Sequence, residues 1–154
     1  MCVSPAAPGS AGTGETNPSR LLAGLDPLLH EGEYVFVTLP GRRSPPGVDP
    51  VLTFDEEEGR TLILPRSQAD GAGLEGAFPS AWITLRIHSS LAAVGMMAAI
   101  STALAGAGIS CNVVAAYFHD HIFVPHEQAQ EAVDLLRGLQ VTGNAKNKAA
   151  GSSG

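Results

Sequence analysis

Basic side chains are scarce in this sequence. Its 154 residues include nine lysines and arginines against fifteen aspartates and glutamates, which gives a net charge of −6 at neutral pH. Both lysines, Lys146 and Lys148, lie near the C-terminus, so arginine supplies every other basic side chain. Because a protein that binds the phosphate backbone of a nucleic acid needs a basic surface, we expect no nucleic-acid partner.

Cysteine is also rare, with only Cys2 and Cys111. The two residues are far apart in sequence and Cys111 lies in an apolar run, a pattern that predicts a buried free thiol rather than a disulfide. Residues 1–19 lack the basic start and apolar centre of a signal peptide. We therefore expect a cytoplasmic protein.

Charged side chains are absent from the whole stretch between His88 and Phe118. Ser89 and Ser90 could cap a helix that Gly106 ends, so the sequence predicts roughly four helical turns, followed by a strand over residues 109–118. Apolar residues occupy both sides of this helix, so we expect it to be covered nearly all round. It is too short to span a bilayer, and no membrane partner is expected.

Short strands, turns and helices account for the rest of the chain. Residues 1–19 are rich in proline, glycine and serine and predict a disordered arm, and residues 141–154 predict a flexible tail. One or two short helices are expected over residues 21–29, and an amphipathic helix carries Ala129 and Leu136. Alternating apolar residues predict strands at 34–39, 51–54, 61–65, 80–87 and 121–124, with a proline-rich loop at 41–50.

The chain contains an internal repeat. The sequence LILPRSQA begins at Leu62, and its counterpart IFVPHEQA begins at Ile122. Both halves then follow the order strand, connection, strand, turn, strand, helix, with the proline-rich loop standing where the second half has its uncharged helix. We infer two units, residues 20–80 and 81–140, whose sheets complete one another through EYVFVTL or SAWITLRI.

The segment from Trp82 to Leu139 resembles an ACT domain through its GAGIS turn and its EAVDLL helix. From Leu21 onward the chain is similar to small tandem ACT-like proteins, with LHEGEYVFVTLP and the run from His88 to Pro125 as the matching motifs. The resemblance implies an α+β, ferredoxin-like βαββαβ tandem with antiparallel sheets and helices on one face. It also implies side-by-side pairing of ACT units and an amino acid bound at their junction.

The most site-like stretch runs from His88 to Leu91, where a strand is expected to meet a helix N-terminus. Free N–H groups there could receive the carboxylate of an amino acid or a similar zwitterion. The resemblance implies that the start of the next strand brackets the same ligand. The carbonyls around His88 and the side-chain oxygen of Asn112 could accept hydrogen bonds from the ligand's ammonium group. The alternative is that the serines only cap the helix. The candidate ligand-binding residues are His88, Ser89, Ser90, Leu91, Asn112 and Val113.

Catalytic chemistry has little support. His119, Asp120 and His121 have a spacing that a metal can use, but a hairpin turn capped by these side chains explains them as well. We expect no cofactor, no metal and no enzyme activity. The sequence predicts a non-catalytic amino-acid sensor that pairs as a homodimer to cover open strand edges. The alternative is a structural homodimerisation or interaction module without a ligand.

Overall fold

The computed structural model describes residues 14–151 of the chain. These residues form four α-helices, seven strands and one 3₁₀ turn, His126–Gln128. In chain order the elements are α1 (Pro18–Ala23), β1 (Pro27–Leu29), β2 (Tyr34–Leu39), β3 (Leu52–Asp55), β4 (Arg60–Pro65), α2 (Arg66–Gly71), β5 (Ala77–Leu85), α3 (Met96–Gly106), β6 (Asn112–Ala115), β7 (Asp120–Pro125) and α4 (Ala129–Gly151).

The described strands form one sheet in the order β3-β4-β2-β5-β7-β6, with β1 paired to β5. Every strand pair is antiparallel. Strand β5 joins the halves, because Ser80 pairs with Tyr34 of β2 while Trp82 pairs with Phe123 of β7. The expectation that the two halves complete one another's sheet is therefore confirmed, with SAWITLRI as the shared segment.

The helices pack on one face of this sheet. Helices α1, α3 and α4 cover the C-terminal half, and α2 covers β2 and β4 through the buried Ala69. Each fully buried leucine or isoleucine stabilises the fold by about 1.5–3 kcal/mol, so this layer holds the helices in place. The expected α+β class is confirmed. The largest buried side chains of the main core are Leu21, Leu25, Ile83, Leu85, Ile100, Leu104, Ile122 and Leu136.

The uncharged helix is shorter than the sequence predicted. It begins at Met96, after Gly95 with a φ of +100°, and not at Ser89 or Ser90. The Ser90 hydroxyl instead accepts from the amide of Ala92, so it builds a local turn that competes with a helical start. The expected helix start was wrong.

Complete coverage of this helix was also a wrong expectation for the single chain. Met96, Ile100 and Leu104 are buried in one stripe, while Ala98 and Ala105 on the other side are exposed. Small side chains lose little by exposure, so the absence of charge did not require a second covering layer. The strand that follows is shorter too, since β6 covers only Asn112–Ala115.

Both chain ends contain more structure than the sequence predicted. Helix α4 runs to Gly151 although a tail was expected from residue 141, and α1 begins at Pro18 within the expected disordered arm. The two helices pack against each other, which supplies the burial that composition did not reveal. Residues 1–13 of the predicted arm and residues 152–154 of the predicted tail lie outside the described residues.

The segment after α1 and Cys111 were also the subject of predictions. After α1 the chain forms strand β1 rather than a second short helix, because Pro27–Leu29 pair with β5. Cys111 is a half-buried free thiol and burial raises its pKa, whereas Cys2 lies outside the described residues. Among the residues described, no helix is long and apolar enough to cross a membrane.

Candidate functional site

The loop from His88 to Leu91 follows the end of β5 but does not start a helix. The Ser89 amide donates to the carbonyl of Ile87 at 2.9 Å, and the Ser90 carbonyl accepts from the amide of Ala93 at 2.8 Å. The loop therefore folds back on itself as a turn. Its free N–H groups are fewer than a helix N-terminus would offer.

Glu15, from the segment before α1, occupies two further backbone groups of this loop. The Glu15 amide donates to the carbonyl of His88 at 3.2 Å, and the Glu15 carbonyl accepts from the amide of Ser90 at 3.2 Å. Glu15 and Ser89 form an isolated parallel bridge. A single residue thus satisfies one acceptor and one donor of the candidate site.

Gly14 lets the N-terminal segment approach this closely. A Cβ built at residue 14 would lie 2.3 Å from the Ser90 nitrogen and 2.6 Å from the Ser89 carbonyl carbon. Both atoms belong to the backbone and cannot rotate away, so a side chain at residue 14 is incompatible with this contact. The carboxylate of Glu15 accepts from the amides of Thr16 and Asn17, and these bonds lower its pKa.

Asn112 and Val113 lie apart from this loop along β6. Asn112 pairs with Phe123, whereas the loop lies beside the turn at the other end of β6, where the His119 ring contacts the carbonyl of Ile87. Both Asn112 and Val113 are exposed on the edge strand. The sequence expectation that they share one ligand with the loop stays a prediction.

The two histidines considered for a metal have other contacts. His121 Nδ1 accepts from the Trp82 indole at 3.1 Å, and the His119 ring is engaged by the Ile87 carbonyl. Asp120 begins β7, where burial raises the pKa of its carboxyl. In the part of the chain that the structure describes, no three His, Cys, Asp or Glu side chains are grouped to hold a metal ion.

The helix-free face of the sheet carries a second candidate site that sequence reasoning missed. Its rings are in mutual contact, with Trp82 stacked on His30 at a centroid distance of 3.6 Å and on Phe123 at 6.3 Å. Tyr34 meets the edges of Trp82 and Phe123. The signal for this site was that β2 and β7 carry apolar residues on both of their faces. A sheet covered by helices on one side needs only one apolar face, so the second apolar face indicated a further contact surface.

A cavity of ≈ 310 Å³ opens over these rings. Trp82, His121 and Phe123 come from the central strands, whereas Leu52 belongs to β3 and Val114 to β6. Strands β3 and β6 are the two edges of the sheet, so the sheet curls until both edges border one cavity. The other lining residues are Val51, Thr53, Ala115 and Ala116.

A polar network fixes the rings beside this cavity. Thr84 Oγ1 lies 2.7 Å from His30 Nε2 and 2.9 Å from His121 Nδ1, and the Trp82 indole N–H also points to that Nδ1. An indole nitrogen only donates, so Nδ1 of His121 is an acceptor and its proton is on Nε2. Burial, with repulsion from His119 and His30, lowers the pKa of His121, so the ring is neutral at neutral pH.

Two family models, each described as ACT domain, match residues 13–81 and 77–138. A Vibrio cholerae protein of unknown function, VC0802, described as a possible transport protein, shares 46% identity over 79% of this chain and 94% of its own, with a TM-score of 0.73. Protein Atu0741 from Agrobacterium tumefaciens shares 16% identity over 75% of this chain and 89% of its own, with a TM-score of 0.64.

The ligand-free regulatory subunit of aspartate kinase from Thermus thermophilus has a similar fold. It shares 12% identity over 73% of this chain and 95% of its own, with a TM-score of 0.58. No curated protein matches the sequence.

Proposed function

Because this chain belongs to the ACT-domain family, we propose that it is a non-catalytic regulatory protein that binds an amino acid or a similar zwitterion at the loop from His88 to Leu91. The fold that it shares with an aspartate kinase regulatory subunit is consistent with this role.

One observation carries the proposal. The nitrogen, Cα, carbonyl carbon and oxygen of Glu15 have the same connectivity as a free amino acid, and they bond to the carbonyl of His88 and the amide of Ser90. A free amino acid has an ammonium donor in place of the amide and a carboxylate acceptor in place of the carbonyl. Its charged groups make stronger hydrogen bonds than the neutral groups that they would replace.

Binding at this loop requires that residues 14–16 leave it. An amino acid and Glu15 use the same two backbone groups, so they exclude one another. The apparent affinity is then the intrinsic affinity multiplied by the fraction of molecules in which the loop is free. Any change that detaches the N-terminal segment without altering the loop should tighten binding.

The cavity on the helix-free face is a poorer site for this ligand. No Asp, Glu, Lys or Arg lines it, so a buried carboxylate and ammonium would have no charged partner there. Removing unpaired charges from water costs several kcal/mol, which disfavours a zwitterion. The loop has solvent beside it and two matched backbone groups.

Isothermal titration of the standard amino acids into the wild type and into Gly14→Ala tests the proposal. The added methyl group cannot coexist with the contact at Ser90, so Gly14→Ala frees the loop while leaving its atoms intact. The matched control is Gly71→Ala, because nothing lies within 4 Å of a Cβ at that exposed position. We expect one amino acid to bind, and to bind Gly14→Ala at least about threefold more tightly than Gly71→Ala.

Two results would count against this function. If no amino acid binds either variant at millimolar concentration, the sensor function is wrong. If an amino acid binds but Gly14→Ala and Gly71→Ala have equal affinity, the ligand does not compete with Glu15 and its site lies elsewhere.

A homodimerisation module is the second candidate function. Leu91, Val94 and Phe118 expose 65%, 80% and 60% of their surfaces, and the outer edges of β3 and β6 have no partner among the described strands. Open edges and exposed apolar side chains favour pairing with a second copy. Sedimentation velocity of the full chain would separate a dimer from a monomer, with and without the amino acid.

A further inference from the structure

The cavity on the helix-free face is lined in part by packed rings. Its floor is Trp82, held between the stacked rings of His30 and Phe123 and hydrogen-bonded to His121 through its indole nitrogen. Such fixed rings lose little conformational freedom when a ligand binds, which lowers the entropic cost of association. Because rings cover both faces of Trp82, a ligand in the cavity would contact the edge of this ring.

The rim of the cavity consists of small or apolar groups. Ala115 and Ala116 keep one side open, and Val51, Leu52 and Val114 supply apolar contacts. Most small-molecule sites have volumes of roughly 300–1,000 Å³ and are apolar with a few polar groups. The volume of ≈ 310 Å³ therefore suits a ligand of about one or two fused rings.

The ring N–H of His121 in this lining has no hydrogen-bond partner among the described residues. Nδ1 of His121 accepts from Trp82, so the ring proton lies on Nε2, and no hydrogen bond to that nitrogen occurs among the described residues. In the described part of the chain every buried side-chain nitrogen or oxygen has a partner, so Nε2 is accessible to solvent. A ligand atom that accepts a hydrogen bond can pair with it.

The absence of charge then selects the class of ligand. The lining has no acidic residue, lysine or arginine, so a charged group would lose its hydration without a compensating partner. An uncharged ring system loses only apolar hydration, which favours burial. We propose that this cavity is a second binding site, separate from the loop at His88, and that it takes a small, apolar, uncharged molecule with one hydrogen-bond acceptor.

The test uses the single tryptophan of the sequence as a reporter. Because Trp82 is the only source of an indole N–H signal, its ¹H–¹⁵N resonance in the full-length protein reports on this cavity alone. Quinoline is the probe, since it is small, largely apolar and uncharged at neutral pH and carries one acceptor nitrogen. Naphthalene lacks the acceptor, and a quinoline carboxylate adds a charge.

We expect quinoline to shift the Trp82 signal saturably. Naphthalene should bind about threefold or more weakly, because it leaves the His121 donor without a partner. The carboxylate should give no saturable shift. The proposal is overturned if quinoline leaves the signal unmoved at millimolar concentration, or if the carboxylate binds as tightly as quinoline.

Two variants separate the cavity from the rest of the surface. Val114→Phe adds a ring to the lining and should weaken quinoline binding at least about tenfold. Val113→Phe is the matched control, because Val113 pairs with Ile122 on the opposite side of the same strand and is 43% exposed. Equal affinities for these two variants would contradict the site.

A further variant keeps the test decisive if Val114→Phe does not fold. His121→Asn retains an acceptor near Nδ1 for Trp82, but its side chain is too short to place a donor at Nε2. Quinoline and naphthalene should then bind equally well. If quinoline keeps its advantage in His121→Asn, the assigned donor is wrong.

Discussion

Gly143 of α4 lies directly against the backbone of Ala23 in α1. A Cβ at residue 143 would be 2.7 Å from the Ala23 nitrogen and 3.1 Å from its Cα. Four residues further along α4, the Asn147 amide donates to the Ser19 carbonyl at 3.3 Å. The last turns of α4 and the first helix therefore form one packed unit, and the glycine is what allows their close approach.

Gly143→Ala should destabilise the protein by about 1–3 kcal/mol, because the new methyl group overlaps backbone atoms that cannot rotate away. Gly138→Ala in the same helix is the control. Nothing lies within 4 Å of a Cβ there, so the higher helix propensity of alanine should add up to about 1 kcal/mol. Urea denaturation measures both values. Equal effects would mean that residues 141–151 do not pack on α1.

Helix α3 should tolerate a charge on its outer face but not on its inner stripe. Ala98→Glu should change the free energy of unfolding by less than about 0.5 kcal/mol, since Ala98 is exposed. Ile100→Ala should cost about 2–5 kcal/mol, because Ile100 is fully buried in the main core. Thermal and urea denaturation check both variants. A large cost for Ala98→Glu would indicate that a second copy covers this face in solution.

The Ser90 amide should exchange its proton slowly in the wild type, because it donates to the Glu15 carbonyl. Gly14→Ala should accelerate this exchange by about tenfold or more, since its methyl group prevents the contact. Exchange at Ser89 should not change, because that amide donates to Ile87 within the loop. This measurement needs no ligand, and fast exchange of Ser90 in the wild type would show that Glu15 does not hold the loop.

Stability should fall as the pH falls below the ordinary histidine pKa of 6.5, because burial lowers the pKa of His121 in the folded protein. The unfolded chain takes up a proton in this range while the folded chain resists it, so protonation favours unfolding. His30 has a lowered pKa for the same reason, and the raised pKa of Asp120 acts in the opposite direction.

His121→Asn removes this titrating ring, whereas His30, His119 and Asp120 remain in both proteins. Between about pH 7.5 and about pH 5.5 the wild type should lose more stability than the variant. Urea denaturation at each pH gives the comparison. Parallel pH profiles would mean that His121 titrates in the folded protein as it does in the unfolded chain.

The sequence by itself determined most of the strands and the class of fold. Period-two alternation marked β2, β4 and β7, and the repeated motifs at Leu62 and Ile122 marked two equivalent halves. These features are local, since alternation follows from the geometry of a strand and needs no knowledge of distant residues. The resemblance to ACT domains depended on other local motifs, among them the GAGIS turn, the EAVDLL helix and LHEGEYVFVTLP.

Helix limits and the candidate site depended on contacts between distant residues. Ser90 forms a turn instead of a cap, and its amide is taken by Glu15, which is far away in sequence. Residues 141–151 have a weakly apolar composition that predicts a tail, yet they are helical where Gly143 meets Ala23. Local propensity is a weak preference that such packing can reverse.

The cavity is the clearest product of tertiary structure. Leu52 and Val114 belong to edge strands at opposite ends of the sheet order, and only the curl of the sheet brings both beside Trp82. The alternation of apolar residues in the sequence indicates which residues share a face of a strand. The curl of the sheet, however, arises from strand twist summed over all of its strands. The face on which each strand residue lies therefore follows from the sequence, whereas the folded sheet determines which of these residues form a site.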